Sequence, residues 1–348
     1  MRALKTMIVV ASITLAVAAC GSDSKNTTAS GSSSSGSTSS SSAKPVPKNV
    51  TVQVGVNDPA QPTIAVLQFM PASITVEVGA PVDFTWTGTI EPHSVTFSPT
   101  PLPDPGSDQS LFAPTPAAGP VDGTTLVNSG LFPLGPGAIP PFSLTFAKPG
   151  ELEYHCVIHP TMNGKVNVVA KGAGGTDTPA AAQDRGATEE AKWLAEGQAA
   201  HAAFVSQEPA STKNADGSTT WKLGMGTSTE HTDILAFQPV PAAVKAGDSV
   251  LFVNDSGAPH TATFYGKTPP IQDPSDPRTD APAPGPSPQT LDDAQFFNTG
   301  LLPPNAPPGG GPPEAVRSFT FVVPKAGTYQ YVCILHVSSG MAGSVVAS

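Results

Sequence analysis

The chain predicts an all-β protein built as two β-sandwiches in tandem. Three observations carry this. Of 348 residues, 40 are Pro and 33 Gly while only 13% are charged, a balance that favours short strands and irregular connections over helical bundles. Short runs alternate apolar with polar residues, as half-buried strands do. The third observation is an internal duplication of roughly 170 residues.

In chain order, the first segment reads as a targeting signal. Arg2 and Lys5 precede an apolar run, Met7 to Ala19, that is too short to span a bilayer. It ends Val17-Ala18-Ala19-Cys20, which resembles a bacterial lipobox and implies that Cys20 is lipidated; residues 1–20 form the signal segment. Residues 21–48 are almost pure Ser, Gly and Thr, a spacer too polar to offset its own chain entropy. Several acyl chains on one Cys would tether the protein stably to a membrane on its extracytoplasmic side. The net charge of −10 and the lack of a basic stripe argue against nucleic acid as a partner.

The first repeat is expected over 49–170. Residues 74–78, 82–86, 142–146 and 166–168 read as its strands, with turns at Gly79 and Gly150. The Pro-rich stretches 99–140 and 266–315 read as long loops rather than central strands. Residues 171–212 form a linker. Within it, 188–205 has helical spacing that puts Trp193, Gly197, His201 and Phe204 on one face, so His201 reads as a packing or surface residue. His231 has no neighbour at metal-binding spacing and reads as a surface residue. The second repeat is expected over 213–348, with turns at Gly247 and Gly327.

The repeats match most closely where the chemistry is. "KPGELEYHCVIHPTMNGKV" (148–166) aligns with "KAGTYQYVCILHVSSGMAGSV" (325–345). Each has Lys, Gly and Tyr at eight, six and two residues before Cys, His three after it, and a closing Met-x-Gly-x-Val. "EPHSVTF" (91–97) matches "APHTATF" (258–264), and "NSGLFP" (128–133) matches "NTGLLP" (298–303). With Cys20 set aside, only Cys156 and Cys333 remain. A single disulfide in an oxidising compartment is the plain alternative, but it leaves the matching His and Met residues unexplained. A thiolate, two imidazoles and a weak thioether are the donor set of blue copper sites, soft enough for Cu(I) and suited to Cu(II).

These residues resemble the cupredoxin family, the plastocyanin, azurin and amicyanin group, over nearly all of the chain outside the signal, tether and linker. The resemblance implies Greek-key sandwiches and two type 1 copper sites: His93, Cys156, His159 and Met162 in the first, His260, Cys333, His336 and Met341 in the second. It also implies that the edges of His159 and His336 face solvent inside an apolar docking patch, formed by Val157, Ile158 and Pro160 and by Ile334, Leu335 and Val337. The spans from His93 to Cys156 and from His260 to Cys333, 63 and 73 residues, are longer than in plastocyanin-like domains.

Enzymes of the related copper families need further His residues. No His-x-His pair is present, and the positions where a nitrite reductase would need a His are Ser98 and Tyr265. His155, beside Cys156, therefore reads as a strand residue. The expectation is a non-enzymatic, membrane-tethered carrier of single electrons between redox proteins. Copper buffering or delivery at the cell surface is the alternative; with six Met and no Met- or His-rich tract, it has less support.

Overall fold

In the computed structural model, residues 48–87, 91–103, 108–132, 139–272, 276, 287–305 and 312–348 are described. Cys20 and the Ser/Gly tether lie outside them. The first repeat contributes β1 (Val50–Asn57), β2 (Ile64–Met70), β3 (Ser73–Glu77), β4 (Val82–Thr85), β5 (Thr96–Phe97), β6 (Val127–Asn128), β7 (Phe142–Leu144), β8 (Gly150–His155) and β9 (Asn163–Val169). After α1 (Pro179–Val205) come β10 (Ser211–Lys213), β11 (Thr219–Ser228), β12 (Thr232–Gln238), β13 (Ala242–Val244), β14 (Ser249–Val253) and β15 (Thr263–Phe264). The chain closes with β16 (Gln289–Thr290), β17 (Phe297–Asn298), β18 (Ser318–Val322), β19 (Gly327–Val332) and β20 (Ala342–Ala347).

Each repeat folds as a two-layer sandwich. One layer is a separate five-stranded sheet, β3-β9-β8-β5-β6 in the first and β13-β20-β19-β15-β17 in the second. The other layer is half of one continuous sheet, ordered β16-β18-β14-β11-β12-β2-β1-β4-β7 with β10 beside β11. Between the layers, Phe69, Phe84, Phe97, Phe146 and Tyr154 fill the first core, and Phe237, Phe252, Phe264, Phe321 and Tyr331 the second. Each such ring removed from water contributes about 1.5–3 kcal/mol. The Met-x-Gly motif has its reason here. A Cβ on Gly164 would lie 2.3 Å from Cζ of Tyr154, and one on Gly343 would lie 2.5 Å from Cζ of Tyr331.

The continuous sheet joins the repeats about a pseudo-two-fold axis. Val66 pairs with Val56 as Ile234 pairs with Thr227, so β2 and β12 are equivalent strands. They pair antiparallel as Val66–Thr232, Ala65–Asp233 and Ile64–Ile234, centred on Ala65 and Asp233. Symmetry continues outward: Leu67 N–H donates to the carbonyl of His231, and Leu235 N–H to that of Thr63. The same contact made both ways is the pattern of an isologous interface.

Helix α1 covers this seam. Thr178 caps it by accepting the Ala181 N–H, and Pro179 stands in the first turn, where a missing N–H costs nothing. It begins nine residues before the expected 188, because the Ala-rich start lacks the apolar periodicity that marks a helix in sequence. Phe204 packs with Ile64 and Ile234, the seam pair. Gly197 lets the helix approach: a Cβ there would lie 2.4 Å from Cγ2 of Ile64. His201 lies 2.7 Å from Nε2 of Gln61, consistent with a packing role. His231 is not a free surface residue. Trp193 stacks on it at 3.7 Å, and Glu196 lies 3.2 Å from its Nδ1. No helix among the described residues is long and apolar enough to cross a membrane.

The Pro-rich stretches are more than loose loops. Their shared Asn-[Ser/Thr]-Gly-Leu segments add a short edge strand to each repeat, with β6 pairing β5 and β17 pairing β15. Phe132 N–H donates to the carbonyl of His93, and Leu302 N–H to that of His260, both at 2.8 Å. Phe132 stacks on Trp86. These segments pack beside the His residues because Asn128, fully buried, anchors the first through bonds to the carbonyls of Leu111 and Ala113.

Candidate metal centres

In each repeat, one His enters from the connection before a short strand, while Cys, the second His and Met come from the hairpin after a long strand. In the first, Nδ1 of His93 and Nδ1 of His159 stand 3.0 Å apart, with Sγ of Cys156 3.5 Å from the latter. In the second, Nδ1 of His260 and Nδ1 of His336 are 3.0 Å apart, and Sγ of Cys333 lies 3.4 Å and 3.7 Å from His336 and His260. All six side chains are buried, and both cysteines are free, so the disulfide alternative does not describe this fold. Met162 and Met341 are fully buried at the ends of the two loops.

The loop backbone explains the spacing. Cys156 N–H donates to the carbonyl of Met162, and Met162 N–H to that of His159, closing the short loop. The second loop makes the same closure from Cys333 to Met341. Its two additional residues are taken up by a turn at Val337–Ser339 that ends on Gly340, whose φ of +88° favours glycine.

The residues after each first His have matching tasks. Ser94 N–H donates to Sγ of Cys156, and Thr261 N–H to Sγ of Cys333, both at 3.4 Å. The hydroxyls of Ser94 and Thr261 accept the N–H of Val157 and Ile334, stitching the Cys loop to the His segment. Thr96 and Thr263 contact those hydroxyls in turn. Pro-His-[Ser/Thr]-x-Thr-Phe is therefore a folding motif around the sulfur as well as a source of one imidazole.

Two glycines that the sequence reading passed over make space for the rings. Gly55 and Gly226 sit at equivalent bulges in β1 and β11 with φ of +60° and +78°. A Cβ on Gly55 would come within 2.3 Å of Nε2 of His93, and one on Gly226 within 2.8 Å of Nε2 of His260.

The resemblance placed the edges of His159 and His336 in solvent; the fold buries them. They are 9% and 4% exposed because the two repeats meet face to face at this end. Between them lies Glu91, 5% exposed. Its Oε1 is 2.9 Å from Nε2 of His336, and its Oε2 is 3.8 Å from Nε2 of His159. The equivalent position in the second repeat is Ala258, so one carboxylate serves both faces. Asp233, buried at the seam centre and accepting from Ser228, is the second acid there. Neither acid was singled out from sequence, although Glu91 against Ala258 is a mismatch inside an otherwise well-matched motif.

Electrostatics follow from this crowding. Burial alone would raise the Glu91 carboxyl, but the charges of His336 and His159 hold it down at about 2. Burial pushes His159 down; the Cys156 thiolate and Glu91 more than reverse this and lift it to about 9. His336 is raised likewise by Cys333 and Glu91. Both thiols fall well below their usual range because the imidazoles outweigh burial. Asp233 moves the other way, raised by burial and by the Glu91 anion.

The donor set fits a soft metal ion. An ion about 2.0–2.3 Å from N and S donors separates them by roughly 3–4 Å, and the N–N and N–S distances here are 3.0–3.7 Å. Two buried Nδ1 atoms aimed at one another beside a thiolate are arranged to share such an ion. His155, in contrast, points away, with Nδ1 against Oδ1 of Asn163. A cavity of about 310 Å³ opens beside Cys156, lined by Pro101, Leu102, His155 and Pro160 among others. The corresponding region of the second repeat is filled by Tyr265, Ile271, Val332 and Ile334.

No protein-family model matches the chain. Among curated proteins it is similar to chloroplast plastocyanin of Physcomitrium patens, 32% identical over 114 residues, which is 33% of this chain and 51% of that protein. It is also similar to chloroplast plastocyanin of Tetradesmus obliquus, 30% identical over 112 residues, 32% of this chain and 58% of that protein. The chain thus spans between half and three-fifths of the length of these relatives. Solved structures similar to it include an oxidised amicyanin variant, 20% identical with a TM-score of 0.22, covering 35% of this chain and 82% of that one. A reduced amicyanin variant is 21% identical with the same TM-score and the same coverage of both chains. The all-β sandwiches and the sequence similarity to plastocyanin support a relationship between this chain and the cupredoxin family.

Proposed function

We propose that the chain is a two-site copper protein that passes single electrons, held outside the cytoplasm by lipid on Cys20. The observation that carries this is the repetition, in each half, of one buried cluster of a free thiol and two facing Nδ1 atoms. His93, Cys156 and His159 would hold one ion and His260, Cys333 and His336 the other, with Met162 and Met341 as weak axial donors. Such a set accommodates both Cu(I) and Cu(II) with little change in geometry, which lowers the barrier to electron transfer.

The residues around each site keep its shape. Ser94 and Thr261 hold the sulfur through backbone N–H groups, Gly55 and Gly226 seat the first imidazole, and the packed segments beside His93 and His260 exclude water. The reading is a carrier whose partners are redox proteins. Burial of the donors favours a resident ion over a readily exchanged one.

The test is metal stoichiometry. The purified chain with Cu(II) is expected to take up two ions and develop an intense thiolate-to-copper absorption band. Cys156→Ala and Cys333→Ala should each remove one ion and leave the other. Uptake of no copper by the unaltered chain, or loss of both ions in either variant, would reject two independent sites.

A further inference from the structure

We propose that Glu91 is a positioning residue shared by the two metal centres and the bridge by which an electron crosses between them. This rests on the copper reading above, and goes beyond it by naming the internal route.

The geometry is that of a double outer contact. His159 and His336 each turn Nδ1 toward their own Cys and partner His, leaving Nε2 to point across the seam. Both Nε2 atoms meet the one carboxylate, His336 at 2.9 Å and His159 at 3.8 Å, on different oxygens. A carboxylate behind a ligating imidazole fixes its tautomer and ring orientation and tunes the site. Here one carboxylate lies 2.9 Å from the second site's imidazole and 3.8 Å from the first's, so it contacts His336 directly and acts on His159 through its charge.

The same contacts form a short path. It runs from the first site through the His159 ring, across 3.8 Å to the carboxylate, then 2.9 Å to the His336 ring and the second site. The His edges that would otherwise meet outside partners are closed off by the other repeat. In the exchange one electron leaves the reduced site, which is oxidised by one unit, and arrives at the oxidised site, which is reduced by one. No bond forms or breaks, and Glu91 gains or loses no proton.

The pseudo-two-fold seam explains why one acid suffices. It brings equivalent edges together around one point, and Ala258, opposite Glu91, leaves that space to a single side chain. Asp233 accepts from Ser228 through Oδ1, and among the described residues the carboxylate within 4.0 Å of Nε2 of His159 and of His336 is that of Glu91, not Asp233.

The experiment compares the copper-loaded chain with Glu91→Gln, which keeps size and removes charge. After a flash-reduced flavin delivers less than one electron per chain, redistribution between the sites is followed in their thiolate bands, assigned with the single Cys→Ala variants. In Glu91→Gln, two ions should remain, both reduction potentials should rise together, and the intersite rate should fall at least tenfold. A variant that keeps two ions with both potentials and the rate unchanged overturns the proposal, and so does a shift confined to one site. If the unaltered chain binds two coppers but shows no intersite transfer, the proposal fails while the copper reading stands; if it binds none, both fail. Should Glu91→Gln not fold, NMR of the unaltered reduced chain decides. An Nε2 proton on His336 coupled to the carboxylate, with slowed exchange at His159, supports the bridge, and rapid exchange of either with solvent overturns it.

Discussion

Gly55 and Gly226 show how much of each candidate metal centre is shaped by residues that would supply no donor. Each sits at a positive φ that other residues avoid, at the point where a β-bulge turns the strand beneath an imidazole. Gly55→Ala is expected to lower stability by about 1–3 kcal/mol, from backbone strain and the displaced His93 ring. It should weaken metal binding at the first site at least tenfold and leave the second near its original value. Competitive titration with a copper chelator, read site by site, checks this. The proposed donors were legible in sequence because thiol, imidazole and thioether are rare here and recur at fixed spacing. Gly55, Gly226 and Glu91 were not, since a Gly at a bulge and an acid beside Pro-His acquire meaning only when another segment is laid against them.

At the scale of elements, α1 is tied down at its start by Asp177. Its carboxylate accepts the Thr75 N–H at 2.7 Å and a forked pair of bonds from Arg185 at 2.7 and 2.9 Å. Partial burial would raise its pKa, but Arg185 and the Thr75 N–H outweigh this and hold the carboxyl below its usual 3.8. A depressed folded-state pKa adds stability that is present above the unfolded value and lost as pH falls through the folded one. Asp177→Asn should therefore destabilise the chain by about 1 kcal/mol at neutral pH, a figure kept small by the exposure of Arg185. The difference from the unaltered chain should shrink as pH drops below 3.8, which urea unfolding at several pH values would measure. Strands β3, β4, β7 and β9 were readable from alternation, whereas β2, buried along its whole length, carries none. The start of α1 was not, because its first turns carry Ala and Gly in place of an apolar stripe.

The molecule as a whole is organised by the seam between β2 and β12. Because the pairing is pseudo-symmetric, each repeat carries an edge that complements a copy of itself. A fragment of residues 48–171 is expected to form a symmetric dimer, with Ala65 meeting its copy on the axis. A fragment of residues 209–348 would set two Asp233 carboxylates against each other and should remain monomeric under the same conditions. Light scattering at matched concentration distinguishes them; a monomeric first fragment would count against the seam as a self-complementary edge. The seam also decides how the sites are reached. It buries the two His edges around Glu91 and leaves the cavity beside Cys156 as an opening next to the first site.

By itself, the sequence determined the fold class, the duplication and the eight residues proposed as donors, because these depend on local periodicity and on rare side chains at short spacing. Only the tertiary structure decided that the two halves share one sheet, that His159 and His336 are both buried, and that each approaches the one carboxylate of Glu91. Those facts arise from the docking of one repeat on the other. Residues far apart along the chain are paired there by surface complementarity, which leaves no periodic trace in either segment.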